Sequence, residues 1–243
     1  MTTSESPVES GDDEPPAADD PPAADDIATD PAARGAVYAL TARLFGAPDD
    51  ALYGDLTEGS IDAELRALLD RTALDVAPPE LVPDDDRETL SARYNDLFVV
   101  GYTEVVDKTD GTIDSRGPPV SLYESDYRSD VSWNDVNLDL ARAYEYFGLD
   151  VDSDERRNHD HLRIQLEFMS YLCRREAAVD PDVAAARLDF HDRHLRILTA
   201  GVADALDEEP GTGLYGRLAA FLDRFAEADV DDLAERRTGG ETP

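Results

Sequence analysis

Between residues 31 and about 228, apolar residues recur at helical spacing and nowhere alternate as strand residues do. Few folds accept such a pattern. Val37, Leu40, Thr41 and Leu44 line one face of a first helix, beside Tyr38 and Phe45. Gly46 and Pro48 stop it. A second helical stretch near 50–73 breaks around Gly59-Ser60 and turns Leu65, Leu68 and Leu69 inward. Pro78, Pro79 and Pro83 mark a connection, after which Leu90, Tyr94, Leu97 and Phe98 again share a face. A non-periodic stretch at 100–130, rich in Gly, Asp and Pro, reads as a long functional loop. Helical spacing returns with Val136, Leu140, Ala143, Tyr144 and Phe147, closed by Gly148. Residues 160–178 are apolar over a wide arc, which predicts a central, nearly buried helix. Pro181 opens a further helix to about 207, with Leu188, Leu195, Leu198, Val202 and Leu206 inward. The last helix carries Leu214, Leu218, Phe221, Leu222 and Phe225. The expected fold is all-α, a single bundle of about seven to nine helices.

Two flanks lie outside this pattern. Residues 1–30 hold ten acids, no Lys or Arg, and a direct repeat of PPAADD, so they read as a disordered acidic tail. Residues 31–236 form the expected helical domain, and 237–243 a C-terminal tail. The whole chain of 243 residues is long enough for one substantial core.

Its formal net charge is −34, with 38 Asp and 18 Glu against 21 Arg and the single Lys108. Dense carboxylates with almost no lysine point to a protein adapted to molar salt, where mutual repulsion is screened within a few ångströms. A chain this acidic is a poor partner for nucleic acid or anionic membranes. No apolar run reaches the roughly 20 residues of a membrane-spanning helix, and no secretory signal is expected. Cys173 is alone, which excludes an internal disulfide and a CxxC metal site.

Chemistry could sit in two places. Asn158-His159-Asp160-His161 opens the central helix, where a short polar residue can serve as N-cap or contact a ligand. His191 and His194, three apart, share a helix face. Together, His159, Asp160, His191 and His194 allow an alternative reading as a helical metal-dependent hydrolase. The pair His159-Asp160 is similar to the dipeptide of HD-type phosphohydrolases, yet no histidine precedes it to complete a metal shell. The second place is Ser121-Leu122-Tyr123-Glu124-Ser125-Asp126-Tyr127, whose tyrosines either line a site or anchor the loop. Hydrolase and nucleotide signatures (GxSxG, GxxxxGK[ST], GxGxxG) are absent from the sequence.

Taken in order, these motifs resemble the redox-enzyme maturation chaperones of the TorD/DmsD/NarJ type. The resemblance rests on the first helix ending in Leu44-Phe45 before Pro48, and on Tyr123-Glu124-Ser125-Asp126-Tyr127. It continues through Tyr146-Phe147-Gly148-Leu149, Asp160-His161-Leu162 and Leu166-Glu167-Phe168-Met169, to Phe190, His194-Leu195 and the Leu214–Ala219 helix. The resemblance implies a cytoplasmic, non-enzymatic chaperone without a cofactor of its own, monomeric or a domain-swapped dimer. Its partner would be the twin-arginine signal peptide, or an N-terminal segment, of a molybdopterin-containing oxidoreductase subunit, held until cofactor insertion. Weak guanine-nucleotide binding is associated with some members. On this reading Asp160 and Glu124 supply charge to the peptide. Tyr123, Tyr127 and Phe168 supply apolar contact, and Ser125 and His161 complete the peptide-binding set.

Overall fold

The computed structural model describes residues 28–107, 112–151, 158–178 and 183–239. Helices α1 (Thr29–Leu44), α2 (Asp50–Thr57), α3 (Ser60–Leu69) and α4 (Arg87–Phe98) are followed by strands β1 (Tyr102–Asp107) and β2 (Thr112–Arg116). A 3₁₀ turn at Glu124–Tyr127 then leads to α5 (Trp133–Tyr146), α6 (Leu162–Ala178), α7 (Val183–Phe190), α8 (Arg196–Glu208) and α9 (Leu214–Gly239). The expected all-α class holds. Nearly all of the predicted tail falls outside the described residues, but α1 already includes Thr29 and Asp30, and α9 runs on through Gly239.

Polar residues set the helix starts. Asp49, Asp86 and Ser132 accept hydrogen bonds from the amides of Leu52, Thr89 and Asp135, satisfying donors that the first turn leaves free. The core is centred on α1 against α6. Leu162, Leu166, Met169, Leu172 and Cys173 are fully buried, as the wide apolar arc predicted. Gly35 permits this contact, since a Cβ there would come within 3.0 Å of both Cys173 Cβ and Ser170 O. Burial in the core pushes the Cys173 thiol pKa well up and keeps it unreactive.

Three expectations change. The stretch at 100–130 is not all loop, because β1 and β2 pair antiparallel with Tyr102 opposite Arg116 and an irregularity between Val105 and Asp107. Short strands of β-branched residues carry no long alternation, so periodicity missed them. The single helix expected up to 207 is interrupted by a π turn at His191–Leu195. Leu188 is only half-buried; Arg187 and Phe190 point inward instead, and both His191 and His194 are buried.

Arg187 enters the core because it has company. Its guanidinium meets both Asp229 oxygens at 2.6 and 2.7 Å and also pairs with Glu176. Arg34 meets the same carboxylate at 2.9 Å, and the Tyr38 hydroxyl donates to it at 2.8 Å. Burial alone would raise the Asp229 pKa, but the two arginines outweigh it and hold the carboxyl below its ordinary range. One aspartate thus ties together α1, α7 and α9.

Candidate functional site

The two segments singled out by sequence meet. The Glu124 amide donates to Asp160 O at 3.0 Å, and the Leu162 amide donates to Leu122 O at 2.8 Å. Tyr123 and His161 face each other as an antiparallel bridge, with their rings edge-to-face at 5.0 Å. Ser125 donates to Asp160 Oδ2 from its hydroxyl at 2.6 Å and its amide at 3.2 Å. On the far side, the Asp160 amide donates to Asn137 Oδ1 at 3.3 Å, joining α5 to the same knot.

Glu124 is the other hub. Arg128 Nε donates to it at 2.6 Å, Gln165 Nε2 at 2.7 Å, and His194 Nδ1 lies 3.1 Å from both oxygens. The second nitrogen of His194 lies 3.2 Å from Asp139 Oδ2. Tyr127 anchors the loop to α8. Its hydroxyl donates to Ser121 O at 2.7 Å, and its ring lies so close to Gly201 that a Cβ there would be 2.5 Å away.

This geometry places the residues of the expected peptide-binding set in different surroundings. Glu124 and Asp160 are both fully buried and engaged internally, so neither offers free charge at the surface. They position the loop and the start of α6. Their charges, after burial, help to push the Tyr144 phenol well above its ordinary pKa. Phe168 keeps a different place. Its ring packs at 4.7 Å from Tyr144 and 4.8 Å from Phe190, and one edge borders an open groove.

That groove, about 360 Å³ in volume, runs along α6 beneath the segment after α5. Leu149, Val151, Ile164, Phe168 and Tyr171 make its apolar wall, with Asp150, Glu167 and Arg174 as its charged residues and Arg163 3.8 Å from Glu167. Leu149 reaches the groove through the helix end. Gly148, at φ 71°, ends α5 with its amide on Glu145 O, and the Leu149 amide returns to Tyr144 O at 3.0 Å. Sequence reasoning named Gly148 and Leu149 as a motif but assigned neither Leu149, Asp150 nor Glu167 to the site. The helix-closing glycine was the available signal.

The histidines do not assemble a metal cage. His194 lies between Glu124 and Asp139, His159 stacks on Tyr144 at 6.0 Å, and Asp160 is held by Ser125. Among the described residues, no three His, Cys, Asp or Glu side chains come together as metal ligands. Nor is any described helix long and apolar enough to cross a membrane.

A helical bundle with a knotted tyrosine loop beside an apolar groove defines a class, and the family model described as nitrate reductase delta subunit matches residues 58–197; the chain belongs to that family. Among its relatives is the selenate reductase assembly chaperone protein of Thauera selenatis. It is 32% identical over 213 residues, covering 85% of this chain and 92% of that one. The chlorate reductase assembly chaperone protein of Ideonella dechloratans is 32% identical over 173 residues, covering 68% and 72%. The perchlorate reductase assembly chaperone protein of Dechloromonas aromatica (strain RCB) is 25% identical over 207 residues, covering 83% and 90%.

Proposed function

We propose that this protein is a non-catalytic assembly chaperone of the cytoplasm. Its client is the catalytic subunit of a molybdopterin-containing oxidoreductase, held before cofactor insertion. The carrying observation is the groove along α6: an apolar wall with Asp150 and Glu167 beside Arg174 at its rim, in a family member whose relatives are named assembly chaperones.

An N-terminal client segment with two arginines ahead of an apolar run suits that surface. Its apolar residues lie on Leu149, Val151, Ile164 and Phe168, while Asp150 and Glu167 face the arginines. Glu124, Ser125, Asp160 and His161 act from behind, by fixing the start of α6. Tyr123 and Tyr127 hold the loop. At high salt the apolar contacts dominate affinity, because surface charge pairs are screened.

The test is titration of a labelled twin-arginine, leucine-rich peptide against the full chain. Ile164→Glu should weaken binding about tenfold or more, because it places a charge on the apolar wall. Equal binding by wild type and Ile164→Glu removes the groove from the account.

A further inference from the structure

The wall of the α6 groove that Leu149 and Val151 supply is backed by open space. A second cavity, of about 410 Å³, lies on the other side of the same segment, lined by Leu149, Asp150 and Val151 together with Glu145 and His159. Packing behind this wall therefore does not fix it. Hydrogen bonds between α5 and α6 do. The Tyr144 hydroxyl donates to His159 O at 3.0 Å, and the Tyr171 hydroxyl donates to Phe147 O at 3.4 Å. The two bonds are reciprocal: α5 donates to the segment entering α6, and α6 donates to the end of α5. Both tyrosines line the groove. The oxygen that Tyr144 holds belongs to the same peptide group as the Asp160 amide, which Asn137 Oδ1 accepts at 3.3 Å. Burial first, then Glu124 and Asp160, push the Tyr144 phenol well above its ordinary pKa, so it stays protonated and able to donate. The floor of the groove has no such freedom. The Tyr144 ring packs 4.7 Å from Phe168, which packs 4.8 Å from Phe190 in the core.

We propose that the Tyr144 and Tyr171 hydroxyls set the width of the α6 groove, and with it the bulk of the apolar side chain that a client segment can place there. The inference rests on the groove reading above. With both bonds made, the Leu149–Val151 wall is held against α6 and a space of about 360 Å³ remains. That space takes aliphatic side chains. An indole enters only if the wall parts from α6, because the aromatic floor does not yield. A fixed pocket discriminates by size about tenfold or more, whereas a wall that moves repacks around either side chain. The two rings meet the client directly, and their hydroxyls act through the wall as positioning groups.

The experiment uses the full chain and two labelled synthetic peptides, followed by fluorescence anisotropy. Both carry two arginines before an apolar run, of leucine in one and of tryptophan in the other. The wild type should bind the leucine peptide about tenfold more tightly or better. In the double variant Tyr144→Phe with Tyr171→Phe, which keeps both rings, that ratio should fall to about threefold or less. Each single variant should fall between, and the singles carry the test if circular dichroism shows the double variant unfolded. A role in stability alone weakens both peptides by one factor and leaves the ratio unchanged, and that result overturns the proposal. So does a wild type that binds both peptides equally or prefers tryptophan; if Ile164→Glu still abolishes that binding, the groove reading stands and only the width inference falls. Wild-type binding that Ile164→Glu leaves unchanged, or no binding of either peptide, removes the groove reading and this inference together.

Discussion

Ser125 and Asp160 are 35 residues apart in sequence, yet the serine hydroxyl donates to the aspartate at 2.6 Å and its amide adds a second bond. The tyrosine loop and the start of α6 are therefore one mechanical unit. Asp160→Ala leaves both Ser125 donors without their acceptor and should cost about 2–4 kcal/mol. Asp160→Asn retains an acceptor oxygen and should cost about half as much. Chemical denaturation of the two variants measures the difference, and an unchanged midpoint in Asp160→Ala would show that the knot is incidental.

Tyr127 and Gly201 form a second clasp. A methyl group at position 201 would sit 2.5 Å from the Tyr127 ring. Gly201→Ala should destabilise by about 1–3 kcal/mol through overpacking. In the Tyr127→Ala background the same change should cost much less, because the ring is gone. A double-mutant cycle reads this coupling; additive effects would mean that the ring and the glycine act independently.

At the other end of the bundle, Asp229 is the buried carboxylate shared by Arg34 and Arg187, which also pair with Asp30 and Asp232 and with Glu176 respectively. Asp229→Ala should cost about 3–5 kcal/mol, since two guanidinium groups lose their shared partner. The variant should melt well below the wild type by circular dichroism. A melting temperature within experimental error of the wild type would show that neighbouring carboxylates compensate.

The buried imidazole of His191 gives a pH signature. Burial lowers its pKa below the ordinary histidine value, against the raising influence of Asp192 and Asp229 and with the help of Arg196. The unfolded chain thus binds a proton more readily than the folded one. Stability is intact above the unfolded pKa of about 6.5 and falls as pH drops below it, levelling off once the folded histidine also protonates. Denaturation at about pH 7.5 and about pH 5.5 should show this loss in the wild type and a smaller one in His191→Phe. Equal pH dependence in both proteins would assign the effect to other groups.

Most of the helical frame was legible from apolar spacing alone. The Leu162–Cys173 face reads directly as a buried helix, and Gly148 as a helix end. Spacing was silent about Arg187, because arginine scores as surface until Asp229, 42 residues away, is known to meet it. The π turn at His191–Leu195 shifted a register that regular periodicity assumes. At the site, the motifs Glu124-Ser125 and Asp160-His161 stand out in sequence, but their burial does not. Asp and Glu read as surface charge in sequence, and only the folded contacts reveal Glu124 and Asp160 as fully buried. The exposed carboxylates of the groove, Asp150 and Glu167, lie on a chain rich in acids and carry no distinguishing pattern.

The most direct measurement is capture of the tagged full-length protein from its own anaerobically grown cells, lysed in multimolar KCl, with mass spectrometry of co-purifying chains. The chaperone account predicts an oxidoreductase catalytic subunit that still carries its N-terminal leader and lacks its molybdopterin, recovered by the wild type and lost with Ile164→Glu. Recovery of the protein alone, with stoichiometric zinc or manganese bound, would contradict it.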